Sequence, residues 1–139
     1  MFFKKDKNES SNLSKVAALL IHAAKIDENF SKNEETIIKQ ALLQIGANSE
    51  NLEKIFLDGK KIEENSNQIL EFTKEVKNME ENDKIKIVET LWRIIYSNNK
   101  ADIYETSLMR RLGGLLYIDS KLMGDIKERI KNKIWLWHT

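Results

Sequence analysis

Two stretches decide the fold: Asp27-Glu28-Asn29-Phe30-Ser31-Lys32-Asn33-Glu34 and Asn98-Asn99-Lys100-Ala101-Asp102-Ile103-Tyr104-Glu105. Each closes one apolar run of helical spacing and opens the next. The offset from Glu34 to Glu105 is 105 − 34 = 71 residues, about half of the 139-residue chain. Self-similarity at a fixed offset marks an internal duplication. Ser31 with Glu34, and Asp102 with Glu105, form capping boxes. In each, the first side chain takes an amide of the first helical turn and the glutamate reaches back.

Around these corners the apolar residues recur at the spacing of one helical face. Leu13, Val16, Ala17, Leu20, Ile21 and Ala24 predict a first helix over residues 13–26. Residues 4–12 are polar and charged, so residues 1–12 read as a flexible N-terminal tail, which leaves 13–139 as one helical domain. Ile37, Ile38, Ala41, Leu42 and Ile45 give a second helix, stopped at Gly46. A short third helix carries Leu52, Ile55 and Phe56, with Ser49 as its cap and Asp58-Gly59 as its end. A fourth holds Ile69, Phe72, Val76 and Met79, capped near Ser66. Asn82-Asp83 starts a fifth, with Ile85, Val88, Leu91, Trp92 and Ile95. Leu108, Met109, Leu112, Leu115 and Leu116 form a sixth, and Asp119 caps a seventh with Leu122, Met123, Ile126, Ile130 and Ile134.

No stretch alternates with period two, so no sheet is expected. The expected architecture is an all-α compact bundle of about seven helices with an internal pseudo-two-fold helix–corner–helix duplication. Its two corner pairs pack around Ile21, Ile38, Leu42, Trp92, Leu108 and Leu112. Gly113-Gly114 inside the sixth helix reads as a close helix–helix approach, since each Gly costs roughly 1 kcal/mol against Ala there; the alternative is a backbone kink that shapes a ligand pocket.

Composition narrows the function. The chain has no Pro, no Cys and a net charge of +1. Thiolate zinc sites, disulfides and cysteine nucleophiles are excluded. The charge balance gives no electrostatic footprint for nucleic acid. The start, Met1-Phe2-Phe3-Lys4-Lys5, has no secretory apolar core, and no run approaches the ~20 apolar residues of a membrane span. A cytoplasmic protein is expected, with peripheral membrane contact as an added reading.

The first corner has two readings. Asp27, Glu28 and Glu34 place hard oxygen donors for a divalent cation at one turn. Against that, Ser31 and Glu34 serve as helix-start chemistry and Asp27 bonds loop amides. It is not an EF-hand: the position for the bidentate Glu is Ile38 and the position for the invariant Gly is Lys32. The two histidines, His22 and His138, give no triad and no Glu-x-x-His pairing, and no catalytic residue is assigned. His22 falls with Lys15, Ala18 and Lys25 on a face read as solvated. At the C-terminus Lys127, Arg129, Lys131 and Lys133 interleave with isoleucines and Trp135-Leu136-Trp137. Such a segment can seat at an anionic membrane, or pack its isoleucines on the bundle.

Ala23-Ala24-Lys25-Ile26-Asp27…Ser31-Lys32-Asn33-Glu34 and Leu91-Trp92-Arg93-Ile94-Ile95-Tyr96…Glu105-Thr106-Ser107-Leu108 resemble the TerB-like family of bacterial proteins linked to tellurite resistance. The resemblance covers roughly residues 13–131. It implies an all-helical fold and a stress-linked, non-enzymatic binding or scaffold role with a protein partner. It also implies metal binding through acidic residues in some members. The chain departs from the family's Asp-Gly at both corners: Glu28 and Asn99 replace the Gly, and Asn98 replaces the second Asp. If either corner takes a cation, it is therefore the first. The alternatives are a peripheral membrane module using the basic and aromatic termini, and an enzyme acting through the acidic corner.

Overall fold

A computed structural model describes residues 2–25, 32–65, 70–97 and 103–138. Seven α-helices carry them: α1 (Phe2–Ala24), α2 (Lys32–Gln44), α3 (Leu52–Glu64), α4 (Leu70–Val76), α5 (Glu81–Ser97), α6 (Ile103–Leu115) and α7 (Ser120–His138). There is no strand among the described residues. Both capping-box helices begin where expected, α2 directly after Ser31 and α6 directly after Asp102. Ser31, Ser66, Asp102 and the corner segment Asn98-Asn99-Lys100 themselves lie outside the described residues.

Helix α1 begins at Phe2, so the stretch read as a flexible tail is helical backbone. Residues 2–12 contain neither Pro nor Gly, so nothing in the backbone chemistry stops a helix there. One stretch of the helix, residues 16–21, is enclosed by the bundle. Val16, Ala17, Ala18, Leu19, Leu20 and Ile21 are all fully buried, because α2, α3, α4 and α5 surround it. Ala18, read as solvated, is one of these residues. Its neighbour His22 is only half-buried: its Nδ1 lies 3.5 Å from Glu63 and its ring 5.9 Å from the Phe72 ring.

Helix α3 runs through Asp58-Gly59 rather than ending there. A Cβ on Gly59 would sit 2.6 Å from Ala17 Cβ and 2.9 Å from the Ser14 carbonyl oxygen. The glycine thus lets α3 lie against α1, and the burial gained outweighs its weak helix preference. Asn48, not Ser49, organises the start of α3. Its Oδ1 accepts from the amides of Glu50 (2.9 Å) and Asn51 (3.0 Å), and Asn51 Oδ1 accepts from the Asn48 amide (2.8 Å).

The duplication extends well beyond the corners. Helix α1 packs chiefly on α3, and α5 packs on α7. At the 71-residue offset, buried Val16, Leu20 and Ile55 correspond to buried Ile87, Leu91 and Ile126. The helix ends match too. Gly46, at φ +136°, closes α2, with the Ala47 amide bonded to the Leu42 carbonyl. Tyr117, 71 residues on (117 − 46 = 71), closes α6 at φ +57°, with the Ile118 amide bonded to the Gly113 carbonyl. Both are six-residue Schellman closures around a positive-φ residue. The halves meet where α5 lies on α1 and α2, and Lys86 Nζ donates to the Gln44 carbonyl at 3.3 Å. Ile21, Ile38, Leu42, Trp92 and Leu112 are buried as expected, and Leu108 packs partly buried against them.

Candidate functional site

Of the three acidic residues at the first corner, Asp27 and Glu28 lie outside the described residues. Glu34 sits in the first turn of α2 and is 0% exposed. Among the described residues no three His, Cys, Asp or Glu side chains form a metal-ligand group. On α7, Ile126 and Ile130 are core residues and Arg129 pairs with Glu89 at 2.9 Å, so this part of the basic helix packs on the bundle. The side chains of Trp135 and Trp137 are outside the described set. No described helix is long and apolar enough to cross a membrane.

The site the structure does show lies in the second half, between α6 and α7 against α5. It is an open groove of about 380 Å³. Gly113 and Gly114 on α6 and Gly124 on α7 leave its bed without side chains, and Met109, Ile118 and Met123 make it apolar. Trp92 of α5 forms one wall, 3% exposed, stacked on Tyr96 with ring centroids 5.9 Å apart. The Trp92 indole N–H is buried without an acceptor. Burial raises the pKa of the Tyr96 phenol, with the Glu128 carboxylate adding to the effect. The rim is cationic: Arg110 on α6 and Lys127 on α7, with the Ser120 hydroxyl at the start of α7. Lys127 Nζ lies 5.5 Å from the Trp92 ring centroid.

The corresponding seam of the first half carries larger side chains. Leu42 stands at the position of Gly113, Leu43 at Gly114, Glu53 at Gly124 and Phe56 at Lys127. Leu42 and Phe56 are buried. Lys39, the counterpart of Arg110, lies 4.9 Å from the Phe56 ring centroid and is ion-paired to Glu53 (2.6 Å) and Glu35 (3.7 Å). The bond to Glu53 is the chief cause of a raised Lys39 pKa, opposed by burial and aided by Glu35. In the second half both acids are gone, Thr106 standing for Glu35 and Gly124 for Glu53, while Lys127 adds a second cation. Apolar bulk and counter-charge are thus both withdrawn from one place.

Only part of this was visible in sequence. A Cβ on Gly113 would meet the flexible Met123 Cε at 3.2 Å, a side-chain contact and not a close crossing of two helix backbones. Gly114 has open space beside it instead. In sequence Arg110 reads, with Arg93 and Arg111, as a carboxylate partner or part of a small anion-binding surface, and Lys127 as part of the basic C-terminal segment; nothing in sequence joins the two. Pairing the halves at the 71-residue offset would have exposed them, because only the comparison shows that Phe56 and Glu53 have been lost.

Residues 13–128 match the family model of tellurite resistance protein TerB. The match spans most of the chain, and the protein belongs to the TerB family. Neither a curated protein nor a solved structure matches it significantly.

Proposed function

We propose that this TerB-family chain is a non-enzymatic binding protein, a scaffold of the tellurite-resistance type in a bacterial stress response. It acts in the cytoplasm and engages a protein partner through the α5–α6–α7 face. One observation carries the reading: the second half leaves open and cationic the seam that the first half fills and neutralises. An opened site with charge at its rim suits recognition. Among the described residues the groove's lining holds no carboxylate, imidazole or thiol, and we assign no catalytic residue to it. A divalent cation at the first corner, held by Asp27, Glu28 and Glu34, belongs to the same proposal. Its support is the acidity of that corner and the placing of Glu34 at the head of α2.

The test is an affinity capture with the wild-type chain and with a Gly113→Leu, Lys127→Phe variant that copies the first half into the second. A partner retained reproducibly by the wild type and lost by the folded variant is the expected result. Equal retention by both overturns the groove as the binding face. Calorimetry with calcium, magnesium, manganese and zinc tests the corner: saturable heat that Asp27→Ala removes is expected, and no heat with any of the four overturns the cation.

A further inference from the structure

The geometry points to a ligand class for the α6–α7 groove: a small amphipathic carboxylate, free in solution, with a short apolar tail. The inference rests on the reading of this face as a recognition site, and goes beyond it in naming what is recognised.

Size is the first argument. The groove holds about 380 Å³. That lies at the low end of small-ligand pockets, roughly 300–1,000 Å³. A helix from another protein, about 10 Å across with side chains, is too large to sink into it. The tail's environment is set by Met109, Met123 and Ile118, and the unbranched thioethers adapt to irregular apolar shapes.

Charge and hydrogen bonding fix the head. Arg110 and Lys127 form no ion pair with a described residue, whereas the corresponding Lys39 is paired twice. A guanidinium presents two parallel N–H groups that match a carboxylate. The second half also has a buried donor without an acceptor, the Trp92 indole N–H, at the position of apolar Ile21. Buried polar groups are ordinarily satisfied, so the unpaired Trp92 donor marks this wall of the groove as under-satisfied, and a ligand seated beside it should be felt at the indole. Ser120 adds a hydroxyl at the N-terminal end of the 19-residue α7, where the helix field favours an anion. A cationic amphiphile would meet two like charges, and a neutral one would leave both unused.

The experiment titrates ¹⁵N-labelled full-length protein with decanoate, decanol and decyltrimethylammonium, each below its micelle concentration. Decanoate should move the Trp92 indole resonance, assigned through Trp92→Phe, along with the amides around Gly113 and Gly124, and the change should saturate. Decanol and the ammonium should bind on the order of tenfold more weakly or not at all. Arg110→Gln and Lys127→Gln should each weaken decanoate by about tenfold. Gly113→Leu with Lys127→Phe should abolish binding in a protein that still melts cooperatively; if that pair fails to fold, the two Gln variants decide. Equal binding of decanol and decanoate, an unmoved Trp92 indole, or full binding by the Gln variants overturns the proposal. So does binding confined to anionic vesicles, which would assign the anion to a membrane. A captured protein partner that depends on the groove, without decanoate binding, removes the carboxylate and leaves the recognition face standing.

Discussion

The α1–α3 unit and the α5–α7 unit are two versions of one helical plan, and they solve the same packing problem with opposite materials. In the first, α3 crosses α1 at Gly59, with Ala17 beneath it. In the second, the same two positions are Ile130 and Val88, both buried. The first pair gains contact by removing side chains, the second by filling the gap with them. A duplicated backbone therefore does not impose duplicated packing. Once the two crossings diverge, their seams are free to diverge as well, one closed and one open.

The largest effects should come from the crossings, and with opposite causes. Ile130→Ala removes buried methyl groups from the α5–α7 contact and should cost about 2–5 kcal/mol. Gly59→Ala adds a single carbon into contact with Ala17 and the Ser14 carbonyl, and should cost about 1–3 kcal/mol through forced displacement of α3. Denaturant unfolding of both variants checks this. If Gly59→Ala is neutral, the close crossing in the first half is wrong.

The helix closures sharpen the comparison next. Gly46 holds φ +136°, outside the region any side chain reaches cheaply, and Leu13 Cδ1 would lie 3.6 Å from an added Cβ. Gly46→Ala should cost about 1–3 kcal/mol from backbone strain alone. Tyr117 holds φ +57°, is 71% exposed and has Lys77 Nζ 5.3 Å from its ring centroid. Tyr117→Gly relieves about 1–2 kcal/mol of left-handed strain but loses that contact and frees the unfolded backbone. The expected net change is within about 1 kcal/mol of zero, read by thermal melting. The same motif thus tolerates substitution at one end and not the other.

Behind each closure the halves differ once more. Leu13 lies against the Gly46 turn, whereas its counterpart Lys84, 7% exposed, donates from Nζ to the Leu116 carbonyl at 3.2 Å. Lys84→Met keeps most of the stem and removes the donor at the C-terminal end of α6. A loss of about 1–2 kcal/mol is expected from the charged hydrogen bond and the helix-end field. Unchanged stability would make Lys84 a mere space-filler like Leu13.

Helix existence was legible because the apolar spacing of 3.6 is a local signal, and the two capping boxes mark starts that tertiary packing had no reason to move. Gly59 was misread as a stop because its local preference and its packing role pull in opposite directions, and packing, which lies 42 residues away at Ala17, prevailed. Ala18 was misread because alanine marks neither a core nor a solvated face; the crossing of α3 at Gly59 decides it, where an added Cβ would lie 3.1 Å from the Ala18 nitrogen. The groove was illegible for a different reason. Its residues are defined by what they replace, so Gly124 means nothing until it is set against Glu53.

The smallest expected effect separates charge used for stability from charge kept for recognition. Lys39 is held above its ordinary pKa chiefly by its hydrogen bond to Glu53, against burial and with help from Glu35. A raised folded-state pKa means the interaction stabilises fully below the unfolded value, about 10.4, and fades as pH rises through the folded one. Glu53 is 68% exposed, so solvent screens the pair and Glu53→Gln should cost only about 0.2–1 kcal/mol. That deficit should stay level from pH 7 to about 10 and shrink above it as Lys39 loses its proton. Arg110 stands at the same place in the second half, where the sequence has Thr106 and Gly124 in place of Glu35 and Glu53. Arg110→Gln should therefore leave stability within about 0.5 kcal/mol at every pH in that range. Parallel denaturant titrations at pH 7 and 11 read both variants. A pH-dependent deficit in Arg110→Gln would mean that its charge is spent inside the fold, and would leave the groove one cation short.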